Sequence, residues 1–279
     1  MEIKHIVVFL RAGDPYEARL AVAAALAAQY DAAVAGVCAF AEPVPDIADS
    51  YAIGPGAADD VLSHRDAAIA LAVAPVEAAF RAAAAERDID CTWVLSAPDE
   101  APSSLARHAR LSDLAVVARP SADTHADHRL AELVALGSGT PCLVAPEGAP
   151  PPRAFERVLL AWNGGREAKR ALDDGLVFLK HAKTVIVVTV VDGRDEAAEA
   201  PSGGPVLAHL ARHGVGASLE LVEAPDGDAG AALLRHCVAA QADLLIMGAY
   251  GHSRAAELVL GGVTRTILAR AGLPVLLSH

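Results

Sequence analysis

The sequence predicts two tandem domains, each a doubly wound α/β fold with a mainly parallel sheet and helices on both faces. Apolar β-type segments alternate with Ala- and Leu-rich helical segments along the chain. The predicted strands are nearly continuous runs of Val, Ile and Leu, which is typical of parallel sheets buried on both faces. The order of segments occurs twice in 279 residues, a length that favours two domains over one.

The second half of the chain shows this alternation most clearly. It opens with the apolar strand VLLAW and closes with a strand that follows Pro274. Helical segments separate the strands, so we expect a five-stranded sheet with helices on both faces. The predicted strands are 157–162, 184–191, 217–223, 243–248 and 274–278, and the predicted helices are 166–180, 203–213, 228–241 and 262–271.

The first half follows the same order. It runs from the strand IVVFL at 6–10, through a helix at 17–29, to PCLVAP at 141–146, with a longer stretch at 42–65 before its second helix. The segment PEGAPPP, which begins at Pro146, is a short stiff linker because it is rich in proline. We therefore predict domains at 1–148 and 153–279.

Short matching pieces recur at corresponding places in the two halves, which indicates an internal repeat. We expect an intrachain pseudo-two-fold axis, formed by pairing of the strands that begin at Pro141 and Pro274. His108 and His236 stand at corresponding positions of the repeat, which indicates that they share a structural role on a helix. The pieces are Ala97-Pro98-Asp99 with Ala224-Pro225-Asp226, Arg107-His108 with Arg235-His236, and Asp113-Leu114 with Asp243-Leu244.

The composition of the chain disfavours some classes of binding partner. The chain has 23 Lys and Arg against 35 Asp and Glu, a net charge of −12, which disfavours binding to nucleic acid or to an anionic membrane. No apolar run reaches the roughly 18–20 residues that span a bilayer, and Met1–Arg11 reads as a strand rather than a signal peptide. The four cysteines are far apart and form no CxxC motif, so we expect a reducing cytoplasm.

The segment 247–264, MGAYGHSRAAELVLGGVT, carries the main chemical signal. It follows a predicted strand, and Gly248 and Gly251 lie in its loop. Gly261 and Gly262 stand directly before a predicted helix. Glycines let backbone N–H groups approach a ligand, and a helix N-terminus favours anions, so this segment predicts a phosphate-binding loop. Tight turns also need glycines, so a turn role is the alternative.

This spacing, Gly248-x2-Gly251-x9-Gly261, resembles the ATP-binding motif of the universal stress protein family. The opening of the second half at 158–168, VLLAWNGGREA, is similar to that family's first strand and loop. The resemblance implies tandem Rossmann-like domains of the adenine nucleotide alpha hydrolase-like type. It also implies a stress-response role, a homodimer or tandem pseudo-dimer, and bound ATP, ADP or AMP with Mg²⁺.

The resemblance places the nucleotide on three segments. Two departures affect it: Asn163 stands where the family has an acidic residue near the adenosine, and Gly262 stands where the family often has Ser or Thr. Candidate nucleotide-binding residues are Ala161, Trp162, Asn163, Gly164, Val190 and Val191 on the adenosine side, and Met247, Gly248, Gly251, His252, Arg254, Gly261, Gly262, Val263 and Thr264 on the phosphate side.

The first half departs further from the motif. Where the second half has Met-Gly-Ala-Tyr-Gly, the first has Val-Ala-Arg-Pro-Ser at 117–121, and Arg11 takes the place of Asn163. Pro120 also removes one backbone donor. We predict that this half has lost the nucleotide site and acts as a structural or regulatory partner.

Other polar groups have simpler interpretations. His209 and His213 are spaced i, i+4, which suits a metal pair, but a solvated helix face is the preferred reading. The cluster Asp123, His125, Asp127 and His128 is read as an exposed loop, and Cys38 and Cys237 as buried small hydrophobes. We assign no metal ligand and no catalytic residue.

The sequence thus predicts a cytoplasmic stress-response protein that binds an adenine nucleotide in its second half and acts as a binding-linked regulatory module. One alternative is an interaction or dimerisation protein that binds no nucleotide. Another is a slow ATPase using His252 or Asp226, although no convincing general base is seen. The protein partner is unknown from the sequence.

Overall fold

The computed structural model describes residues 2–39, 55–96, 100, 102–119, 127–147, 155–191, 203–249 and 262–279. The strands are β1 (His5–Arg11), β2 (Ala33–Ala39), β3 (Cys91–Leu95), β4 (Leu114–Ala118), β5 (Cys142–Ala145), β6 (Arg157–Ala161), β7 (Thr184–Val191), β8 (Ser218–Glu223), β9 (Leu244–Gly248) and β10 (Val275–Ser278). The helices are α1 (Glu17–Tyr30), α2 (Pro55–Ala85), α3 (Pro102–Leu105), α4 (Asp127–Gly137), α5 (Arg166–Leu179), α6 (Gly203–Arg212), α7 (Ala229–Ala239) and α8 (Gly262–Arg270), with a 3-10 turn at Ala106–Ala109.

All ten strands belong to one sheet, in the order β3-β2-β1-β4-β5-β10-β9-β6-β7-β8. Strands within each half run parallel, and β5 and β10 pair antiparallel in the middle, where Leu143 faces Leu276. The predicted α/β fold is confirmed, and so is the pairing of the strands that follow Pro141 and Pro274. In each half the strand order reverses beside the first strand of that half. The reversal lies between β1 and β4 in the first half and between β6 and β9 in the second half.

Helices cover both faces of the sheet because alternate strand residues are buried on opposite sides. Ile6, Val8 and Leu10 of β1 pack with α1, α2, α5 and α6 in one core. Val7 and Phe9 pack with the 3-10 turn, α4, α7 and α8 in the other core. Both cores include residues from the two halves, so the sheet buries apolar surface continuously across the central strand pair.

The matched Asp-Leu pieces have the same structural role in both halves. Asp113 Oδ2 accepts hydrogen bonds from the backbone N–H groups of Lys4 and His5, at 2.8 and 2.9 Å. Asp243 Oδ2 accepts from the N–H groups of Glu156 and Arg157, at 2.9 and 2.7 Å. Each carboxylate therefore joins the residue before one inner strand to the start of the neighbouring inner strand.

Two expectations for the first half are wrong. The second helix begins at Pro55, not after residue 65, and a proline at the first position of a helix needs no hydrogen-bond partner. The predicted counterpart of α7 is only the short α3 followed by a 3-10 turn. In the second half every predicted element is present, with boundaries within two residues.

We expected no segment long and apolar enough to span a bilayer. This expectation is wrong, because one helical segment is sufficient in length and composition. The 23 residues of Ser63–Ala85 within α2 meet both criteria. One face of this segment carries Ile69, Val73, Val76 and Phe80, all buried against the sheet. That buried stripe is the pattern of a helix packed on a protein core.

Candidate functional site

The second half has its crevice at the carboxyl ends of β6 and β9, where the strand order reverses. In doubly wound sheets ligands bind at such a switch point. Leu160 of β6 pairs with Ile246 of β9, so the residues that follow each strand lie side by side at this edge. Trp162 and Asn163 follow β6, and Met247 and Gly248 end β9. The structure thus brings the predicted residues that follow β6 next to those that end β9.

The end of β6 is held by hydrogen bonds to β7. The backbone N–H of Trp162 donates to Val188 O at 2.8 Å, and the Thr189 hydroxyl donates to Trp162 O at 2.9 Å. Trp162 is half-buried against the core. Sequence reasoning missed Thr189, whose only signal is a hydroxyl within an otherwise apolar strand. This contact fixes the backbone where the chain leaves the sheet.

Asn163 is exposed, and its side chain is already engaged. Its Oδ1 accepts a hydrogen bond of 2.9 Å from the backbone N–H of Gly165, the residue before α5. Gly164 between them has a φ of +73°, a left-handed conformation that glycine adopts without strain. Asn163 thereby shapes the turn into α5, and its Nδ2 group remains the donor that a ligand could meet.

Gly248 is required for close packing between β9 and α5. A Cβ atom at this position would lie 2.4 Å from the carbonyl carbon of Glu167 and 2.6 Å from the backbone N of Ala168. Those atoms are backbone and cannot move aside as a flexible side chain can. The structure therefore gives this glycine a packing role, which the sequence motif alone did not reveal.

The N-terminal end of α8 lies at the surface. Gly262 is exposed, with nothing within 4 Å of a Cβ built on it, and Val263 is 37% exposed. Thr264 is only 3% exposed, so its side chain lies within the protein. The ligand-facing groups that the described part of α8 offers are therefore the backbone N–H groups of its first turn rather than the Thr264 hydroxyl.

The other predicted site residues divide into those described and those not described. Val190 and Val191, at the end of β7, are half-buried, as is Ala161, and Met247 is buried. Four predicted residues, Gly251, His252, Arg254 and Gly261, lie outside the described residues.

The corresponding crevice of the first half has a different chemistry. Ile6 pairs with Leu114 and Val8 with Val116. Arg11, the last residue of β1, and Arg119, directly after β4, therefore stand at matching places. Arg11 Nε lies 3.8 Å from Asp14 Oδ2. Arg119 Nη1 donates to Ala269 O, in the last turn of α8, at 3.0 Å. One arginine at this edge therefore binds the second half of the chain.

The repeated histidines each face a glutamate. His108 Nε2 lies 3.5 Å from Glu100 Oε1, and His236 Nε2 lies 2.8 Å from Glu220 Oε2. In each contact, a histidine of a helical segment meets a glutamate that precedes that segment in the sequence. This arrangement supports the shared structural role expected from the repeat.

The helix pair His209 and His213 has its ring centroids 4.7 Å apart. Burial, followed by the nearby charges of Lys169 and His213, lowers the pKa of His209 below its usual 6.5. Among the described residues no group of three or more potential ligands could hold a metal ion. Asp123 and His125 lie outside the described residues, as do the side chains of Asp127 and His128.

All four cysteines are free. Burial raises the pKa of Cys38 to about 11 and that of Cys237 to about 12, and it also raises the pKa of Cys142. Thiols of this kind stay protonated at neutral pH and are poor nucleophiles. The interpretation of Cys38 and Cys237 as buried small hydrophobes is therefore confirmed.

Comparisons with known proteins agree with this architecture. The model of the universal stress protein family matches residues 154–279. Universal stress protein Slr1230 of Synechocystis sp. is 33% identical over 138 residues, which are 49% of this chain and 46% of that protein. The chain therefore spans about half the length of this curated relative.

Solved structures resemble almost the whole chain. A universal stress protein from Archaeoglobus fulgidus has a TM-score of 0.65 at 15% identity, over 98% of this chain and 97% of that one. PA1789 of Pseudomonas aeruginosa, a protein of unknown function, has a TM-score of 0.63 at 15% identity, over 99% and 92%. At this identity the likeness concerns the fold, and it extends through both halves.

Proposed function

We propose that this chain, whose residues 154–279 match the model of the universal stress protein family, is a cytoplasmic stress-response protein that binds ATP or a related adenine nucleotide in its second half. It acts by binding rather than by catalysis. The first half has no adenine site and serves as the structural partner of the second. The ten-stranded sheet, with β5 and β10 paired at its centre, makes the chain an intrachain pseudo-dimer.

The observation that carries this proposal is the crevice at the ends of β6 and β9. Strand order reverses there, between the half-buried Trp162 and the tightly packed Gly248. The exposed N-terminus of α8 belongs to the segment that follows β9. A switch-point crevice supplemented by the N–H groups of a helix suits a planar base joined to a phosphate chain.

The adenosine lies on the β6 and β7 side in this proposal. Ala161, Trp162, Val190 and Val191 offer apolar or half-buried surface to the base, and Asn163 offers an uncharged donor to the sugar. The phosphates lie against the loop that starts at Gly248 and against the first turn of α8. Arg254 adds positive charge, and Mg²⁺ accompanies the phosphates.

The first half couples to nucleotide through α8. One end of this nine-residue helix starts where the phosphate loop ends, and its last turn accepts the hydrogen bond from Arg119. A ligand that prefers one position of α8 therefore favours one arrangement of the two halves. Such a shift requires different affinities for the two arrangements.

The test is the substitution Gly251→Asp, which puts a side chain and a negative charge into the phosphate loop. ATP binding is measured by calorimetry on the full chain, and phosphate release is followed in the same samples. Gly216→Asp is the matched control because Gly216 is exposed, with open space around a Cβ. We expect G251D to lose binding and G216D to keep it. Equal affinity in both variants would reject the phosphate loop.

A second candidate function is an interaction protein that binds no nucleotide. Two observations favour it: Asn163 Oδ1 is used by Gly165, and Gly248 is needed for packing against Glu167. Both residues then have structural reasons to be present. Absence of ATP binding by the unaltered chain, with or without Mg²⁺, would select this candidate.

A further inference from the structure

Helix α2 has an apolar side that faces solvent. Its segment Ser63–Ala85 is long and apolar enough to cross a membrane, yet only 28% of the most apolar stretch is buried inside the protein. The inward side of the helix packs on the sheet. We call the outward side the α2 face and define it by six exposed residues: Ala68, Leu71, Pro75, Ala78, Ala82 and Ala85.

The spacing of the α2 face is that of a helix that pairs with another helix. Its residues follow one another at alternating steps of three and four, which is the pattern of the contact positions in a two-stranded coiled coil. Leu71 is its largest aliphatic side chain and is 78% exposed. Most of the others are alanines, and side chains this small let two helix axes approach closely. The face therefore suits a second helix with the same spacing.

Charged residues of opposite sign flank the α2 face at its two ends. Arg65 lies in the helix near its start, and Glu86 continues the helical pattern because its N–H donates to Ala82 O. The two residues are about 31 Å apart along the helix axis, so they cannot meet within one chain. Arg65 Nε lies 3.5 Å from Asp66 Oδ1, and Glu86 Oε2 lies 3.6 Å from Arg87 Nη1. These are surface contacts between sequence neighbours, which contribute little.

This arrangement of charge is complementary to itself when two copies of α2 run antiparallel. Arg65 and Glu86 both stand directly after a contact position, where flanking charges set the partner and the orientation of a helix pair. A two-fold axis at the middle of the face brings Arg65 of each copy opposite Glu86 of the other. It also places Ala72 opposite Ala79, so no like charges meet there. In a parallel pair Arg65 and Glu86 would remain at opposite ends.

We propose that the α2 face is the contact surface between two copies of this chain, which form a symmetric dimer with antiparallel α2 helices. The central strands β5 and β10 already pair within the chain, so they are not open to a second copy. The net charge of −12 makes an anionic membrane a less suitable occupant of the face. This dimer does not depend on nucleotide binding in the second half.

The dimer is expected to be weak. One helix from each copy makes an interface at the small end of specific ones. Pro75 lies within the face, and since proline kinks a helix, the two copies touch most closely at the middle. We therefore expect a reversible equilibrium between monomer and dimer, with a dissociation constant in the micromolar range or above.

Sedimentation velocity of the full chain over a series of concentrations tests the surface. Leu71→Glu places a charge in the α2 face and weakens dimerisation at least tenfold. Ala70→Glu is the matched control, because Ala70 is exposed on the same helix but lies outside the face, and its affinity stays unchanged. Circular dichroism verifies that both variants are folded. A monomer at every concentration, or equal weakening by both substitutions, would overturn the proposal.

An exchange of charges tests the antiparallel orientation. R65E and E86R each bring like charges together across the two-fold axis, and each weakens dimerisation at least threefold. The double variant R65E/E86R restores the original affinity because both ion pairs form again with their signs exchanged. If the double variant is as weak as the single ones, or if neither single variant differs from the unaltered chain, the antiparallel dimer is rejected.

Discussion

Arg119, at the end of β4 in the first half, donates a hydrogen bond from Nη1 to the carbonyl oxygen of Ala269, in the last turn of α8 in the second half. The two residues are 150 positions apart in sequence. A cation at a helix C-terminus also interacts favourably with the helix dipole. We expect the second half to bind a ligand at the ends of its inner strands. At the matching edge of the first half, Arg119 instead contacts the second half.

This contact predicts that Arg119→Gln destabilises the full chain by about 1 kcal/mol, the typical value for a partly exposed charged hydrogen bond at a helix end. Urea unfolding measures the loss. Arg110→Gln is the control, since Arg110 is an exposed arginine in the same half, and its unfolding midpoint stays unchanged. An unchanged midpoint for R119Q would mean that the contact contributes nothing.

The two repeated aspartates predict a matched pair of losses. Asp113→Ala and Asp243→Ala each remove a carboxylate that accepts two backbone N–H groups. We expect each variant to lose about 1–3 kcal/mol, the cost of leaving such donors without a partner. Asp226→Ala, at an exposed position, serves as the control. A loss in only one of the two variants would argue against the equivalence of the two halves.

The two glycines at opposite ends of the phosphate loop predict opposite results. Gly248→Ala puts a Cβ against the backbone of α5, and overpacking of this kind costs about 1–3 kcal/mol. Gly262→Ala enters open space at the start of α8 and leaves stability unchanged or slightly raised. Thermal unfolding separates the two. Equal melting temperatures would show that β9 and α5 do not pack as described.

His209 predicts a contribution to acid sensitivity. Its pKa lies below the usual 6.5 because of burial, Lys169 and His213, with Arg212 acting in the same direction and Asp173 opposing. The unfolded chain then binds more protons between the native pKa and 6.5, so stability falls as the pH is lowered through this interval.

Urea midpoints at a series of pH values from 7.5 downward test this contribution. His209→Gln loses less stability on acidification than the unaltered chain does. A steeper dependence in H209Q would reverse the sign of the argument.

Much of the fold could be predicted from the sequence because its signals are local. Alternating apolar runs place the strands, and the Pro-led final strands predicted the β5–β10 pairing. The start of α2 at Pro55 was missed because Pro-Gly reads as a turn although proline also suits a first helical position. The shortened α3 was missed because helix length depends on packing as well as on propensity.

The site was harder to predict because its determinants are tertiary. Nothing local to Gly248 shows that α5 passes within 2.4 Å of its Cβ position. The burial of Thr264 depends on how α8 is rotated against the sheet. The contact of Arg119 with Ala269 follows only once the halves are joined through β5 and β10.

The most direct test of nucleotide binding in the second half is the nucleotide content of the purified protein. The full chain, purified without added ligand, is denatured, and the released nucleotide is identified by mass spectrometry and quantified by absorbance. Our account predicts close to one adenine nucleotide per chain. Two per chain would contradict the loss of the site in the first half, and none, together with no ATP binding in calorimetry, would contradict the nucleotide-binding function itself.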